Sequence, residues 1–213
     1  MRIGVVGSGK MGGGIGTAFA RAGHEVFFSF SRDSQRLQTL GQQASARFGS
    51  PAEAVAFGEV LLLSVWFPQI QEALEQAGNL NDRILLTCVS GLTPDFTGET
   101  MGLPSSMMLS VAEQISELAP GARVVESFNL TFAETIAAPN RDFKGDRPSL
   151  PYCGDDADAK HIVAQLITDC GYEPVDAGPL KSARSLESLA SIWVQTAAVT
   201  GLFPDTALKI LRR

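Results

Sequence analysis

Residues 3–12 read Ile-Gly-Val-Val-Gly-Ser-Gly-Lys-Met-Gly, and this stretch decides the fold. A short apolar run ends in the pattern Gly-x-Gly-x-x-Gly, and apolar residues at helical spacing follow it. A strand, a glycine turn and a helix in this order are typical of the fingerprint that binds dinucleotides. The glycines permit a tight turn, close approach of the backbone to a pyrophosphate, and close helix–strand packing, and the helix N-terminus offers N–H groups to the phosphates. We therefore predict that the pyrophosphate of a cofactor is held by Gly7, Ser8, Gly9, Lys10, Met11 and Gly12.

The tip of the second predicted strand, residues 25–30, indicates which dinucleotide binds. An NAD enzyme usually has Asp or Glu there, because a carboxylate accepts a hydrogen bond from the ribose 2′-OH. This chain has Ser31 and Arg32 at the tip and Arg36 one helical turn further on. A hydroxyl and two guanidinium groups suit a 2′-phosphate, which a carboxylate would repel. The pattern favours NADP(H) over NAD; Asp33 either contacts the ribose or caps the next helix.

Composition and charge narrow the class of protein. The chain has 213 residues, of which 45% are hydrophobic, and its formal net charge is −6. This charge disfavours a nucleic-acid partner, and no uninterrupted apolar stretch approaches the ~20 residues that a membrane helix needs. The three cysteines have no CxxC spacing, so we expect reduced, buried thiols and no metal site. The chain enters a strand at once without a signal peptide, and we expect a cytoplasmic protein.

Predicted strands and helices alternate along most of the chain. Residues 60–65 and 84–88 are short apolar runs typical of strands that are buried on both faces. Residues 91–106 are rich in Gly, Pro, Thr and Ser, and we predict a loop or lid over the strand ends. The fold class is therefore α/β, a Rossmann-type doubly wound parallel sheet with a small C-terminal α/β cap. We place an NADP-binding domain at residues 1–128 and the cap, with an acceptor-binding segment, at residues 129–213.

Further blocks of sequence carry a family resemblance. Besides the glycine turn and Ser31-Arg32 these are Gly-His-Glu-Val at 23–26, Val-Glu-Ser-Phe-Asn at 125–129, Cys-Gly-Asp-Asp at 153–156, Asp-Ala-Gly-Pro-Leu at 176–180 and Leu-Glu-Ser-Leu at 186–189. Together the blocks resemble the NADPH-dependent reductases of coenzyme F420, a deazaflavin. The cytosolic NADPH domain of six-transmembrane metalloreductases, which passes its hydride to a flavin, is similar too.

Residues beyond the glycine turn complete the predicted site. At the carboxyl ends of predicted strands, where the ribose and nicotinamide should pass, lie Val65, Trp66 and Ser90. Trp66 and Phe67 either border that pocket or pack within their loop. The resemblance implies that the C-terminal part closes over the nicotinamide and that the electron acceptor binds there. The residues that it assigns to the acceptor side are Asn129, Thr131, Gly178, Pro179 and Leu180, and Asn129 also belongs to the predicted cofactor site.

The chain shows no obvious acid–base catalyst. Its two histidines, His24 and His161, lie in a turn and in the middle of a predicted helix, and no Tyr-x-x-x-Lys pair is present. Hydride exchange between a nicotinamide and a flavin-like ring needs little acid–base help, because both rings carry the chemistry. We therefore predict an NADP(H)-dependent oxidoreductase with an acceptor such as coenzyme F420 or a flavin. The alternatives are a flavin (FAD or FMN) reductase, a reductase of small carbonyls or imines, and a non-catalytic NADPH sensor.

The last predicted helix suggests how the chain assembles. Leu189, Ile192 and Trp193 form an apolar stripe that continues beyond the helix to Phe203. This is more apolar surface than a helix lying on a finished core requires. We expect a homodimer that buries part of the stripe.

Overall fold

The computed structural model describes residues 1–93, 103–104, 108–138, 143–211 and 213. Eight strands form one sheet in the order β3-β2-β1-β4-β5-β8-β9-β10, and β6 and β7 form a separate two-residue ladder. The strands are β1 (Arg2–Val6), β2 (Glu25–Ser29), β3 (Arg47–Gly49), β4 (Val60–Leu63), β5 (Ile84–Thr87), β6 (Leu92–Thr93), β7 (Leu103–Pro104), β8 (Arg123–Glu126), β9 (Ser149–Gly154) and β10 (Glu173–Asp176).

Eight helices are described in addition to two short 3₁₀ turns, Phe67–Gln69 and Leu180–Ser182. Local signals set several of their ends. Ser50 forms a capping box with Glu53, and Ser110 forms a second one with Glu113. The helices are α1 (Lys10–Arg21), α2 (Ser34–Ala44), α3 (Pro51–Phe57), α4 (Ile70–Ala77), α5 (Val111–Leu118), α6 (Ala133–Ala137), α7 (Ala157–Asp169) and α8 (Ala183–Val199).

The sheet is doubly wound, as predicted. The strand order reverses between β1 and β4, and every pair from β3 to β8 is parallel. In such sheets a ligand binds at this switch point, outside the carboxyl ends of the strands. The strands of the centre are fully buried, as the apolar run of β4 illustrates. We call the side where β1, β2, β4, β5 and β8 end the carboxyl edge.

The C-terminal strands extend the same sheet in the opposite direction. β9 pairs antiparallel with β8, and β10 pairs parallel with β9. Their carboxyl ends therefore point away from the carboxyl edge. Residues 127–148 connect β8 to β9, and their described part includes the short helix α6, which the sequence did not predict.

Three further observations complete the fold. Within the predicted lid, residues 91–106, residues 92–93 pair with residues 103–104 as the β6–β7 ladder, and residues 94–102 lie outside the described residues. Among the helices that the structure describes, none is both long and apolar enough to cross a membrane. A groove of about 330 Å³ between α4 and α5 lies at the opposite edge of the sheet, beside Asn79 and Pro120.

Candidate cofactor site

The glycine turn has the shape that a dinucleotide requires. Gly7 has a φ of +108°, and a Cβ there or on Gly12 would overlap a backbone carbonyl oxygen, that of Ser64 or of Gly7 respectively. Gly9 differs, because a Cβ at this position would meet no atom within 4 Å. Gly9 is the N-cap of α1, whose start has neither a side-chain cap nor an acidic residue in the first turn. Its N–H groups are thus suited to bind an anion.

Hydrogen bonds fix the turn to the end of β2. Ser8 is 1% exposed, and its hydroxyl donates to the Ser29 carbonyl oxygen over 2.8 Å. The Ser8 backbone N–H donates to the carbonyl of Phe30, which has a φ of 55°. The Arg36 Nε–H donates to the Ser8 carbonyl over 2.7 Å. Ser8 therefore supports the turn through its side chain, and Arg36 lies directly beside it.

The tip of β2 resolves the two alternatives for Asp33. Its carboxylate accepts from the backbone N–H groups of Gln35 and Arg36, over 3.0 and 3.2 Å, and so caps α2. Ser31 is bonded to the backbone of Asp33 at the same turn, and Arg32 is exposed. The carboxylate that could have favoured NAD is thus occupied at a helix N-terminus.

Contacts between neighbouring strand ends connect the rest of the carboxyl edge. Val65 Cγ1 lies 2.8 Å from the position of a Cβ on Gly7. Cys88 Sγ lies 3.3 Å from Ser64 Oγ, and the Ser127 N–H donates to the Thr87 carbonyl. The structure thereby brings the predicted residues after β4, β5 and β8 to one edge with the glycine turn: Val65, Trp66, Ser90 and Asn129.

Two aromatic residues and one lysine lie near this edge. Trp66 is 69% exposed, so the alternative that it packs within its loop is wrong. Phe67 is 36% exposed. Lys10, in the first turn of α1, forms a long ion pair of 3.4 Å with Glu134 of α6, and its side chain is largely exposed. Met11 packs partly against the core.

The predicted acceptor residues come from two segments of the chain, one after β8 and one after β10. Asn129 lies at the carboxyl edge, and the Thr131 hydroxyl bonds the Tyr172 hydroxyl over 2.8 Å. Gly178, Pro179 and Leu180 follow β10, and the Leu180 carbonyl oxygen lies 3.8 Å from Sγ of Cys153, the β9 residue that pairs with Glu126. This turn is bonded to the Cys-Gly-Asp-Asp block at 153–156, because the Leu180 N–H donates to Asp155 and the Gly154 N–H donates to the Gly178 carbonyl. The pairing of the two blocks thus has a structural role.

Sequence reasoning missed a group of buried acids beside Asn129. Glu126, the last residue of β8, is fully buried, and Glu187 of α8 is 2% exposed. Burial raises the pKa of Glu126 well above its ordinary value, and the nearby Glu187 carboxyl raises it further. Burial also raises the pKa of Glu187 to about 7, although its carboxylate accepts from the Ala112 N–H at the start of α5. The sequence carried little signal for this group, because Glu126 ends a strand and is followed by Ser127, and Glu187 is followed by Ser188.

Charge pairing holds α8 against α5 near these acids. Arg184 Nε and Nη2 each lie 2.8 Å from the two carboxylate oxygens of Glu113, a bidentate pair. This pair lowers the pKa of Glu113 to about 2. The result is a rigid connection between the N-terminal turns of both helices.

The chain fits an NADP(H) cofactor on its own geometry. The open space over Gly9 and the uncapped start of α1 suit a pyrophosphate, and the two arginines beside the β2 end suit a 2′-phosphate. Asp33 does not oppose this, because its carboxylate faces α2. The residues that follow β4, β5 and β8 lie on the other side of the switch point, where the nicotinamide end of the cofactor would bind.

Known proteins share this architecture. Residues 2–91 match the family described as NADP oxidoreductase, coenzyme F420-dependent. The metalloreductase STEAP3 of Rattus norvegicus is 30% identical over 207 residues, which are 95% of this chain. This chain spans 40% of the length of that curated relative. The crystal structure of a candidate F420-dependent NADP reductase from Arthrobacter sp. FB24 superposes with a TM-score of 0.85, at 28% identity and over 100% of both chains.

A more distant solved structure shares the fold alone. The reductive aminase of Aspergillus terreus, in complex with NADPH and ethyl levulinate, has a TM-score of 0.69 at 17% identity. The match covers 94% of this chain and 63% of the aminase. The fold, the glycine turn and the family match make this chain similar to NADP-dependent oxidoreductases. Within that class, the predicted resemblance to the NADPH-dependent coenzyme F420 reductase family is confirmed.

Proposed function

We propose that this chain transfers hydride between NADPH and a flavin-like acceptor such as coenzyme F420. The observation that carries the proposal is Trp66, whose indole is exposed at the end of β4, beside the glycine turn. A flat aromatic face at the nicotinamide end suits a planar ring. The family match and the name of the Arthrobacter protein support the same acceptor class.

The chain's own residues would bind and align the two reactants. Gly9 and the start of α1 hold the pyrophosphate, and Arg32 and Arg36 hold the 2′-phosphate. NADPH, when bound, supplies the hydride, so the acceptor gains two electrons and takes one proton from solvent while NADP⁺ is released. Alignment of the two ring faces at the carboxyl edge lowers the barrier chiefly by positioning.

The test of this function is a comparison of acceptors. NADPH oxidation is followed with coenzyme F420, FAD, FMN and a panel of carbonyl and imine compounds. We expect turnover with a flavin-like ring and a rate that varies little across neutral pH, because no exposed side chain has to titrate. Turnover with a carbonyl or imine alone would support the small-molecule reductase, and tight NADPH binding without any turnover would support the sensor.

We also propose that the chain is a cytoplasmic homodimer. The exposed face of α8 carries Leu189, Ile192, which is 57% exposed, and Val199. Beside it Trp193 stacks on Phe132, with 6.4 Å between ring centroids. An apolar face of this kind fits a second copy of the chain. The three buried free thiols are consistent with a reducing compartment.

Assembly is tested by light scattering at tens of micromolar protein. We expect a dimer mass, and we expect Ile192→Glu to give a monomer. Leu118→Glu is the matched control, because Leu118 is a similarly exposed apolar residue at the end of α5, outside the α8 face. A monomer mass for the wild-type chain would reject the dimer.

A further inference from the structure

Three buried polar side chains lie under the carboxyl edge, and none of them has a role in the proposed function. We call Glu126, Cys153 and Glu187 the buried acid cluster. Cys153 is the β9 residue that pairs with Glu126, and its Sγ lies 3.9 Å from Glu126 Oε2. Glu187 reaches the cluster from α8. Such a group is costly in a core, and it is retained where it holds something in place or acts on a ligand.

Asn129 connects this cluster to the cofactor edge. Its Nδ2 donates to Glu126 Oε1 over 2.9 Å, and the residue is only 9% exposed. Its Oδ1 is buried and has no hydrogen-bond partner within the part of the chain that the structure describes. Buried carbonyl oxygens are nearly always paired in native proteins, so an unpaired one at a ligand edge points to a donor on the ligand.

The backbone before Asn129 is strained in a way that keeps this arrangement. Phe128 has a φ of +63°, a conformation that is unusual for a bulky residue. Its ring is fully buried and packs edge-on against Phe19 and Tyr172, at centroid distances of 5.8 and 6.5 Å. Strain of this kind persists only where the surroundings enforce it, and it concentrates at functional sites. The turn leads the chain back so that Asn129 meets Glu126, three residues earlier.

We propose that Glu126 is a positioning residue that fixes the Asn129 carboxamide, so that Asn129 Oδ1 accepts a hydrogen bond from an N–H group of a planar ring bound at the carboxyl edge. The N–H group belongs either to the nicotinamide carboxamide or to a flavin-like acceptor. The proposal rests on the proposed function for the identity of these rings. In this proposal Asn129 is the hydrogen-bond acceptor for the ring, and Glu126 acts through Asn129.

The charge state of Glu126 supports this role. Burial and the neighbouring Glu187 raise its pKa, and the other titratable groups that face it are the thiols of Cys153 and Cys88. Burial raises the pKa of both thiols, that of Cys88 to about 11, so neither supplies a charge at neutral pH. These surroundings disfavour the charged form of Glu126, and glutamine is its close replacement in shape and in its ability to accept from Asn129 Nδ2.

The test measures binding without turnover. The affinities of NADP⁺ and of its 3-acetylpyridine analogue, in which a methyl group replaces the carboxamide NH₂, are compared by calorimetry. The variants are Glu126→Gln, Glu126→Leu and Asn129→Ala, with Asn81→Ala as the control on the opposite edge of the sheet. Melting temperatures are recorded for each, and the Michaelis constant for the acceptor is measured in parallel.

If the nicotinamide is the donor, Asn129→Ala and Glu126→Leu weaken NADP⁺ binding about threefold to tenfold, the typical effect of one hydrogen bond. The wild type binds the analogue more weakly than NADP⁺ by a similar factor, and Asn129→Ala adds no further loss. Glu126→Gln binds NADP⁺ within about twofold of the wild type, since its amide oxygen still accepts from Asn129. Asn81→Ala behaves as the wild type.

If the acceptor is the donor, Asn129→Ala instead raises the Michaelis constant for the acceptor about threefold to tenfold, with NADP⁺ affinity and the turnover number preserved. Glu126→Gln must again resemble the wild type. The proposal is overturned if Asn129→Ala changes neither quantity, or if Glu126→Gln is as harmful as Glu126→Leu. Should Glu126→Leu fail to fold, the Asn129→Ala and Glu126→Gln results decide alone. A wild type that binds NADP⁺ but reduces no acceptor contradicts the proposed function, and the analogue comparison still tests Asn129.

Discussion

Replacement of Gly9 by alanine separates cofactor binding from folding. Gly9 has a φ of −70° and a ψ of −164°, which alanine adopts without strain, and the added Cβ would meet no protein atom within 4 Å. The substitution should therefore change the free energy of unfolding by less than about 1 kcal/mol. The methyl group would occupy the space over the start of α1, where we place the pyrophosphate. Loss of one charge-assisted hydrogen bond costs about 1.5–3 kcal/mol, or roughly 10- to 100-fold in NADPH affinity.

The assay is calorimetric titration of NADPH together with thermal melting. Gly12→Ala is the matched control, because its Cβ would overlap the Gly7 carbonyl oxygen. That variant should lose stability, by about 1–3 kcal/mol or more, as overpacked cores do. If Gly9→Ala melts as the wild type and binds NADPH equally well, the placement of the pyrophosphate over Gly9 is refuted.

Three further predictions concern cofactor choice, pH and the β10 turn. Arg32→Ala should reduce the preference for NADPH over NADH by about tenfold. This is the lower end of the effect of a charge-assisted contact, because Arg32 is exposed. Equal affinities of the wild type for NADPH and NADH in calorimetry would contradict the prediction. Because burial raises the pKa of Glu187 to about 7, its protonated side chain stabilises the fold fully below about pH 4.5. This stabilisation is lost as the pH rises through 7. Glu187→Gln should thus raise the melting temperature at pH 8 more than at pH 5, and an equal effect at both would contradict it. Gly178→Ala, at a φ of +100°, should destabilise the fold by about 1 kcal/mol in denaturant titration, and an unchanged midpoint would contradict that.

Local chemistry made part of the site predictable. The glycine turn, the capping box of Ser50 and the cap supplied by Asp33 depend on residues close in sequence. Their spacing therefore carries the information. The same holds for the alternation of strands and helices up to β8, which predicted the doubly wound sheet.

The rest of the site and fold depends on contacts between residues that are distant in sequence, so it could not be predicted. Glu126 at a strand end looks like a solvated residue, and its burial depends on β9 and α8, which lie 27 and 61 residues further along the chain at Cys153 and Glu187. The antiparallel direction of β9 was equally hidden, because both directions give the same apolar run. The division of the chain at residue 128 stays a prediction.

The most direct test of the account is a single-turnover experiment. Enzyme, NADPH and coenzyme F420 are mixed rapidly, and the absorbance of both rings is followed. We predict that one acceptor molecule is reduced for each NADPH oxidised, with both signals changing at the same rate, as direct hydride transfer requires. NADPH that binds tightly and stays reduced in the presence of F420, FAD and FMN would contradict the central claim.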